Sequence, residues 1–151
     1  VRFESDEIKR GATEIIKFNE LQDWTKSEDI RIKYFSGTAV YSTKITADNI
    51  SRNKNWYLDL GNVGMMAKVK VNGQYAGGVW TAPYRVNVTP YLKQGENMIE
   101  IEVVNTWVNR IIGDLNLPND QRKVRPNNNS WNPNSPLQPS GLLGPVELLG
   151  N

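Results

Sequence analysis

The sequence predicts an all-β fold, a two-layer sandwich, and three observations carry that expectation. "NMIEIEVVN" sets Ile99, Ile101 and Val103 on one face and Glu100 and Glu102 on the other, the period of two that belongs to a strand buried on one side. "AKVKVNGQY" alternates Ala67, Val69 and Val71 with Lys68 and Lys70 and then meets Asn72-Gly73, a pair that accepts the positive φ angles of a tight hairpin turn. The ending "SGLLGPVELL" returns to an apolar strand that closes a sheet. A chain of 151 residues suits one hydrophobic core and hence one domain over its whole length.

The elements follow in order. "LQDWTKSEDIRIKYFSGTAVYSTKI" alternates from Ile30 onward and reads as two strands joined at Ser36-Gly37. Residues 56–60 form a short strand and 61–64 a turn. The half-buried strand through Val71 follows, and the chain returns antiparallel from Tyr75 to Trp80. "VTPYLKQGEN" reads as a short helical link, with Thr89 placed to cap, Pro90 at a first helical position and Gly95 where a left-handed residue stops a turn. From 115 to 138 periodicity vanishes into Asn and Pro, "LNLPNDQRKVRPNNNSWNPNSPLQ". So long an irregular connection in a compact domain is commonly functional or disordered.

Composition excludes several functions. Eighteen basic and sixteen acidic residues leave a net charge of +2, too little and too evenly spread for the phosphate-neutralising patch of a nucleic-acid binder. No apolar run reaches the length of a membrane span, and "VRFESDEIKR" has neither the apolar core nor the cleavage site of a signal peptide. A start at Val1 fits a piece excised from a longer polypeptide. The absence of His removes Ser-His-Asp triads, His metal sites and His acid-base pairs, and the absence of Cys removes thiolate chemistry and disulfides. "GNVG" and "AGGVW" lack the spacing and setting of a nucleotide-binding loop.

Two carboxylates suffice for glycoside hydrolysis, and Glu100 with Glu102 shares a strand face; a solvated face accounts for them more simply. Asp114 and Asp120 offer oxygens to a structural calcium ion, without any calcium-loop motif; no other cofactor is expected. Five tryptophans are the stronger signal, because a pyranose packs its C–H face on flat aromatic rings. Trp24 and Trp56 lie in or beside strands and belong to the core. For Trp80 and Trp107, at strand ends, and Trp131, in the Asn-rich loop, burial and sugar contact both stand open. "NTWVNRIIGD" adds Asn105, Asn109, Arg110 and Asp114, groups that bracket vicinal hydroxyls or, for Arg110 with Asp114, form a salt bridge that holds the long loop.

"YFSGTAVYSTKI", "YLDLGNVGMMAKVKVNGQYAGGVWTAPYRVNVTPYLKQGENMIEIEVVNTWVNRIIGD" and "PSGLLGPVELL" together resemble the sugar-binding domain of glycoside hydrolase family 2. They resemble still more the C-terminal β-sandwich of family 106 α-L-rhamnosidase-like enzymes of Bacteroidetes. The resemblance runs over about residues 21–149. It implies a jelly-roll β-sandwich of the galactose-binding type, with the catalytic carboxylates on a separate barrel. It implies a non-catalytic accessory domain of a glycoside hydrolase, a monomer when isolated, periplasmic or extracellular, with carbohydrate and its own catalytic domain as partners. Within it "VNGQYAGGVWTAPY" is mostly architecture, and Trp80 alone is positioned to double as a contact. The expected carbohydrate-binding set is Trp80, Trp107, Asn109, Arg110, Asp114 and Trp131. An autonomous carbohydrate-binding module and a purely structural or protein-interaction sandwich are the alternatives.

Overall fold

A computed structural model describes residues 1–4, 15–48, 50, 53–125 and 130–151. The chain runs through β1 (Arg2–Glu4), a single 3₁₀ turn (Trp24–Lys26), α1 (Ile30–Lys33), β2 (Thr38–Ala47), β3 (Trp56–Asp59) and β4 (Asn62–Val63). It continues through β5 (Met66–Val71), β6 (Gln74–Val79), β7 (Arg85–Asn87), β8 (Gly95–Val104), α2 (Val108–Leu115), β9 (Leu142–Gly144) and β10 (Glu147–Gly150). One sheet has the order β1-β2-β8-β5-β6, a second the order β10-β3-β7, and β4 pairs with β9. The all-β sandwich expected from the alternation is what forms.

Strand β8 organises the larger sheet. It pairs antiparallel with β2 over ten residues, from Thr38↔Val104 to Ala47↔Gly95, and with β5 from Met66↔Val104 to Val71↔Ile99. Ile99, Ile101 and Val103 are buried, as are Ala67, Val69 and Val71 across from them. Leu58, Val86 and Val88 of the smaller sheet and its flank meet them from the other layer. Trp24 closes one end of this core at 0% exposure, ringed by Phe3, Phe35 and Tyr41. Trp56 packs against the core half-buried, so of the two tryptophans assigned to the interior Trp24 is in the core and Trp56 lies at its margin.

The hairpin turn takes the φ values its sequence demands, +52° at Asn72 and +80° at Gly73. Asn72 also ties neighbouring segments: its Nδ2 donates to Tyr91 O and Asn97 Oδ1, and its Oδ1 accepts from Met98 N. The pairing with the returning strand shifts register between Val69 and Lys70, where β6 carries the extra residue Ala76, a bulge that raises local twist.

Three local readings change. Residues 30–33 are a helical turn, not a strand, because the Asp29 carboxylate accepts from Arg31 N at 2.8 Å and caps it; only the second of the two expected strands, β2, exists. The turn at 61–64 contains β4, which Gly144 and Leu142 engage. The 89–94 link is a turn rather than a helix, with Tyr91 and Leu92 N–H groups both on Val88 O. Thr89 does not cap it: its hydroxyl accepts from Trp56 N at 2.7 Å and so pins β3. Gly95 does take the left-handed φ, +85°, and opens β8.

Candidate functional site

One end of the larger sheet gathers the exposed aromatic groups. Met66 opens β5 opposite Val104, the last residue of β8, and Ala67 pairs with Val79, the last residue of β6. Trp80 therefore leaves the sheet beside Met66, and Trp107 lies three residues beyond Val104 as the N-cap of α2. Trp80 is 73% exposed, Trp107 43% and Met66 45%, with Met65 also at the surface. Four large apolar side chains are thus left in water near where these strands end.

The glycines after the hairpin keep the adjoining strand bare. A Cβ at Gly78 would stand 3.2 Å from the Tyr75 hydroxyl, so the exposed Tyr75 ring lies along β6 over the space that Gly78 leaves. Tyr75 lies near the start of β6, and Trp80 follows directly on its last residue, Val79.

The polar members of the expected site, Asn109, Arg110 and Asp114, are buried rather than presented to solvent. Asn109 is 1% exposed; its Nδ2 donates to Gln138 O at 2.7 Å and its Oδ1 accepts from Gln138 N at 2.8 Å. Arg110 donates to Asp114 Oδ1 at 2.8 Å, one turn on along α2. The other Asp114 oxygen accepts from Lys123 N at 2.9 Å and Val124 N at 2.7 Å. Arg110 Nε is buried without a hydrogen-bond partner among the described residues. Asn105 is buried too and donates to Phe35 O. Of the two roles read for Arg110 and Asp114, the geometry contains the salt bridge that holds the loop. Asp120 is exposed on that loop.

Amide and guanidinium groups also explain how the described residues of 115–138 are held without strands. Asn116 Nδ2 donates to Ile112 O and Pro133 O, Arg122 donates to Leu117 O and Leu115 O, and Arg125 to Asn119 O. Asn132 accepts from Asn134 N and takes Ser135 Oγ as its own acceptor. Backbone groups that lack a ladder must be satisfied by side chains or water, which is the physical use of so many Asn. Trp131 is half-buried on this loop; the Asn run at 127–129 lies outside the described residues.

Helix α2, which positions Trp107, was not anticipated. Its signal was present in Val108, Ile112 and Leu115, the spacing of one helical face. Gly113 lets it seat closely, since a Cβ there would fall 2.5 Å from Tyr34 Cγ. The carboxylates Glu100 and Glu102 stand opposite Lys70 and Lys68, and Glu102 is ion-paired to Lys68 at 3.1 Å. Cross-strand pairs of opposite charge stabilise a wet sheet face. Among the described residues no helix is long and apolar enough to cross a membrane.

Comparison with known proteins gives a consistent picture. The family model described as glycosyl hydrolase 2 galactose-binding domain-like matches residues 13–134. A candidate beta-glucuronidase of Formosa agariphila is 37% identical over 88% of this chain. The solved rhamnosidase of Novosphingobium sp. PP1Y superposes with a TM-score of 0.88 at 40% identity over 94% of this chain. A beta-D-glucuronidase structure from Dictyoglomus thermophilum, at 21% identity and TM-score 0.51 over 62% of this chain and 17% of its own, shares the fold alone. The chain spans 14% of the Formosa protein and 14% of the rhamnosidase.

Proposed function

Because the chain belongs to the glycosyl hydrolase 2 galactose-binding domain-like family, we propose that it is a non-catalytic, carbohydrate-associated accessory domain of a larger glycoside hydrolase. In this reading residues 1–151 are one domain that packs on the catalytic domain and turns its sheet end toward the sugar. A periplasmic or extracellular setting goes with such a parent. The observation that carries the proposal is the grouping of exposed Trp80 and Trp107 at one end of the larger sheet, next to a loop braced by buried polar side chains.

Within this division of labour Trp80 and Trp107 offer ring faces, while Asn109, Arg110 and Asp114 fix α2 and the 115–138 loop in position. Trp131, on the loop, is the third ring that this reading assigns to sugar contact. A carbohydrate ring stacked on an exposed indole contributes on the order of 1 kcal/mol beyond area burial, by analogy with aromatic pairs. Each tryptophan is therefore expected to change sugar-dependent activity by about fivefold, since 1.4 kcal/mol is tenfold.

The test is kinetic. Trp80→Ala and Trp107→Ala in the full-length enzyme should raise KM or lower kcat/KM while leaving its thermal unfolding in place. The 151-residue chain alone should hydrolyse no aryl rhamnoside or glucuronide and retain little on a glycan array. Strong glycan retention by the chain alone supports the autonomous binding module instead. Unaltered kinetics in both variants would leave the sheet end as a structural or protein-contact face.

A further inference from the structure

The outer face of the smaller sheet carries side chains that the core does not use. Along β3 the inward Leu58 leaves Tyr57 and Asp59 on the outside, and along β7 the inward Val86 leaves Arg85 and Asn87 there. Register sets them in two rows across the sheet. Leu149, Tyr57 and Asn87 stand abreast in one, and Glu147, Asp59 and Arg85 in the next. A hollow of about 300 Å³ on this face is lined by Tyr57 of the central strand, by Arg85 of β7, and by Leu149, Gly150 and Asn151 on the β10 side. Its volume lies at the small end of ligand-sized cavities. The β10 wall is held in place, because Asn151 N donates to Asn55 O at 2.9 Å and Asn55 N to Asn151 O at 3.0 Å.

The polar side of the hollow is set in advance. Asp59 Oδ1 accepts from Gly61 N at 2.9 Å, which fixes the carboxylate, and Asp59 Oδ2 accepts from Arg85 Nε at 2.6 Å, which fixes the guanidinium. These bonds, that from Arg85 first, hold the Asp59 carboxyl below its usual range, so it stays an acceptor. Neither Nη group of Arg85 bonds to another described residue. The pair therefore presents a fork of donors beside a carboxylate acceptor, next to an aromatic ring. Two adjacent hydroxyls satisfy such a pair at once, one donating to the carboxylate and one accepting from the guanidinium. An anion gains little here. Asp59 neutralises Arg85, and Glu147 stands on the other side of Asp59, so the face has no surplus of positive charge.

We propose that this outer face binds one neutral pyranose ring, whose apolar C–H side lies on Tyr57 and Leu149 and whose adjacent hydroxyls reach Asp59 and the Nη groups of Arg85. The site belongs to the other layer from Trp80 and Trp107, which follow strands of the larger sheet. A single ring held by one tyrosine and one guanidinium binds with a Kd of about 10 mM, too weakly for retention on a glycan array.

Chemical labelling of Arg85 by phenylglyoxal, read by peptide mass in the full-length polypeptide and in the 151-residue chain, tests it. Methyl α-L-rhamnopyranoside or methyl β-D-galactopyranoside at about 50 mM should slow the labelling about fivefold in both proteins. The fully O-methylated rhamnoside, which cannot donate, and methyl β-D-glucuronide, which is an anion, should not. Tyr57→Ala should abolish the protection and Tyr57→Phe should keep it, with the melting temperature of each variant confirming that it is folded. Trp80→Ala and Trp107→Ala should leave the protection unchanged, so the outcome is separate from that of the kinetic test above. Labelling that neither neutral glycoside slows overturns the proposal, as does equal protection by the glucuronide. Failure of Arg85 to label in the full-length polypeptide also overturns it, because the rest of the protein then covers this face.

Discussion

Removing one buried oxygen should cost this fold more than removing most exposed side chains. The Tyr41 hydroxyl accepts from Trp24 Nε1 at 2.7 Å and from Leu142 N at 3.1 Å. Tyr41→Phe keeps the ring, 7% exposed, and leaves both donors without that acceptor. A buried donor left unsatisfied costs about 1–3 kcal/mol, so two set an upper range of about 2–6 kcal/mol. A slot lined by Tyr41 and Leu142 gives water access to one of them, and a bridging water recovers part of the loss. The expected destabilisation is about 3 kcal/mol, a fall in melting temperature of about 6–12 °C for a domain of this size. Urea unfolding followed by tryptophan fluorescence measures it. In a double-mutant cycle, Trp24→Phe on the Tyr41→Phe background removes one orphaned donor, so the double variant should lose less than the sum of the singles. A Tyr41→Phe loss under about 0.5 kcal/mol, or strict additivity, would refute the reasoning.

Alkali tests the same residue independently. Burial pushes the Tyr41 phenol up to about 12, against the opposing pull of the Leu142 and Trp24 donors. The unfolded chain ionises near 10, so this contribution is intact below pH 10 and falls by about 1.4 kcal/mol per pH unit between 10 and 12; the slope difference between wild type and Tyr41→Phe in pH-dependent unfolding checks it. Asp114→Ala leaves the Arg110 guanidinium buried and unpaired and frees two backbone N–H groups, for a loss of about 3–5 kcal/mol. Limited proteolysis should then cut first within 115–125. Gly113→Ala, despite a gain of about 1 kcal/mol in helix propensity, should destabilise by about 1–3 kcal/mol through overpacking on Tyr34, measured by thermal denaturation. A neutral or stabilising result there would show that Tyr34 moves aside freely.

What the sequence disclosed and what it hid divide along physical lines. Faces of β5 and β8 were readable because alternation over six or more residues has one meaning, and Asn72-Gly73 was readable because few dipeptides accept two positive φ angles. The segment at 30–33 was ambiguous, since a short apolar run fits a strand or a helix turn, and the capping Asp29 decided it. Helix α2 hid behind polar groups that drew attention as hydroxyl ligands. Trp24 was legible as core from its strand neighbours. The shared position of Trp80, Met66 and Trp107 was not, because it depends on the register of three strands from distant parts of the chain. The same holds for Asn109, whose partner Gln138 is 29 residues away.

The closure around Trp24 sets an order on synthesis. Trp24 N donates to Ser140 O, Asp23 accepts from Ser140 N across 117 residues, and Gly141 leaves just enough room for the indole. Strand β3 finds its edge partner only in Glu147–Gly150. A nascent chain emerging N-terminus first can form the β5–β6 hairpin early, but it cannot seat its largest core side chain until nearly the whole domain has left the ribosome. Until then an indole and three neighbouring aromatic rings are exposed together. A chain that ends before Ser140 would therefore be a sticky sheet rather than a smaller sandwich.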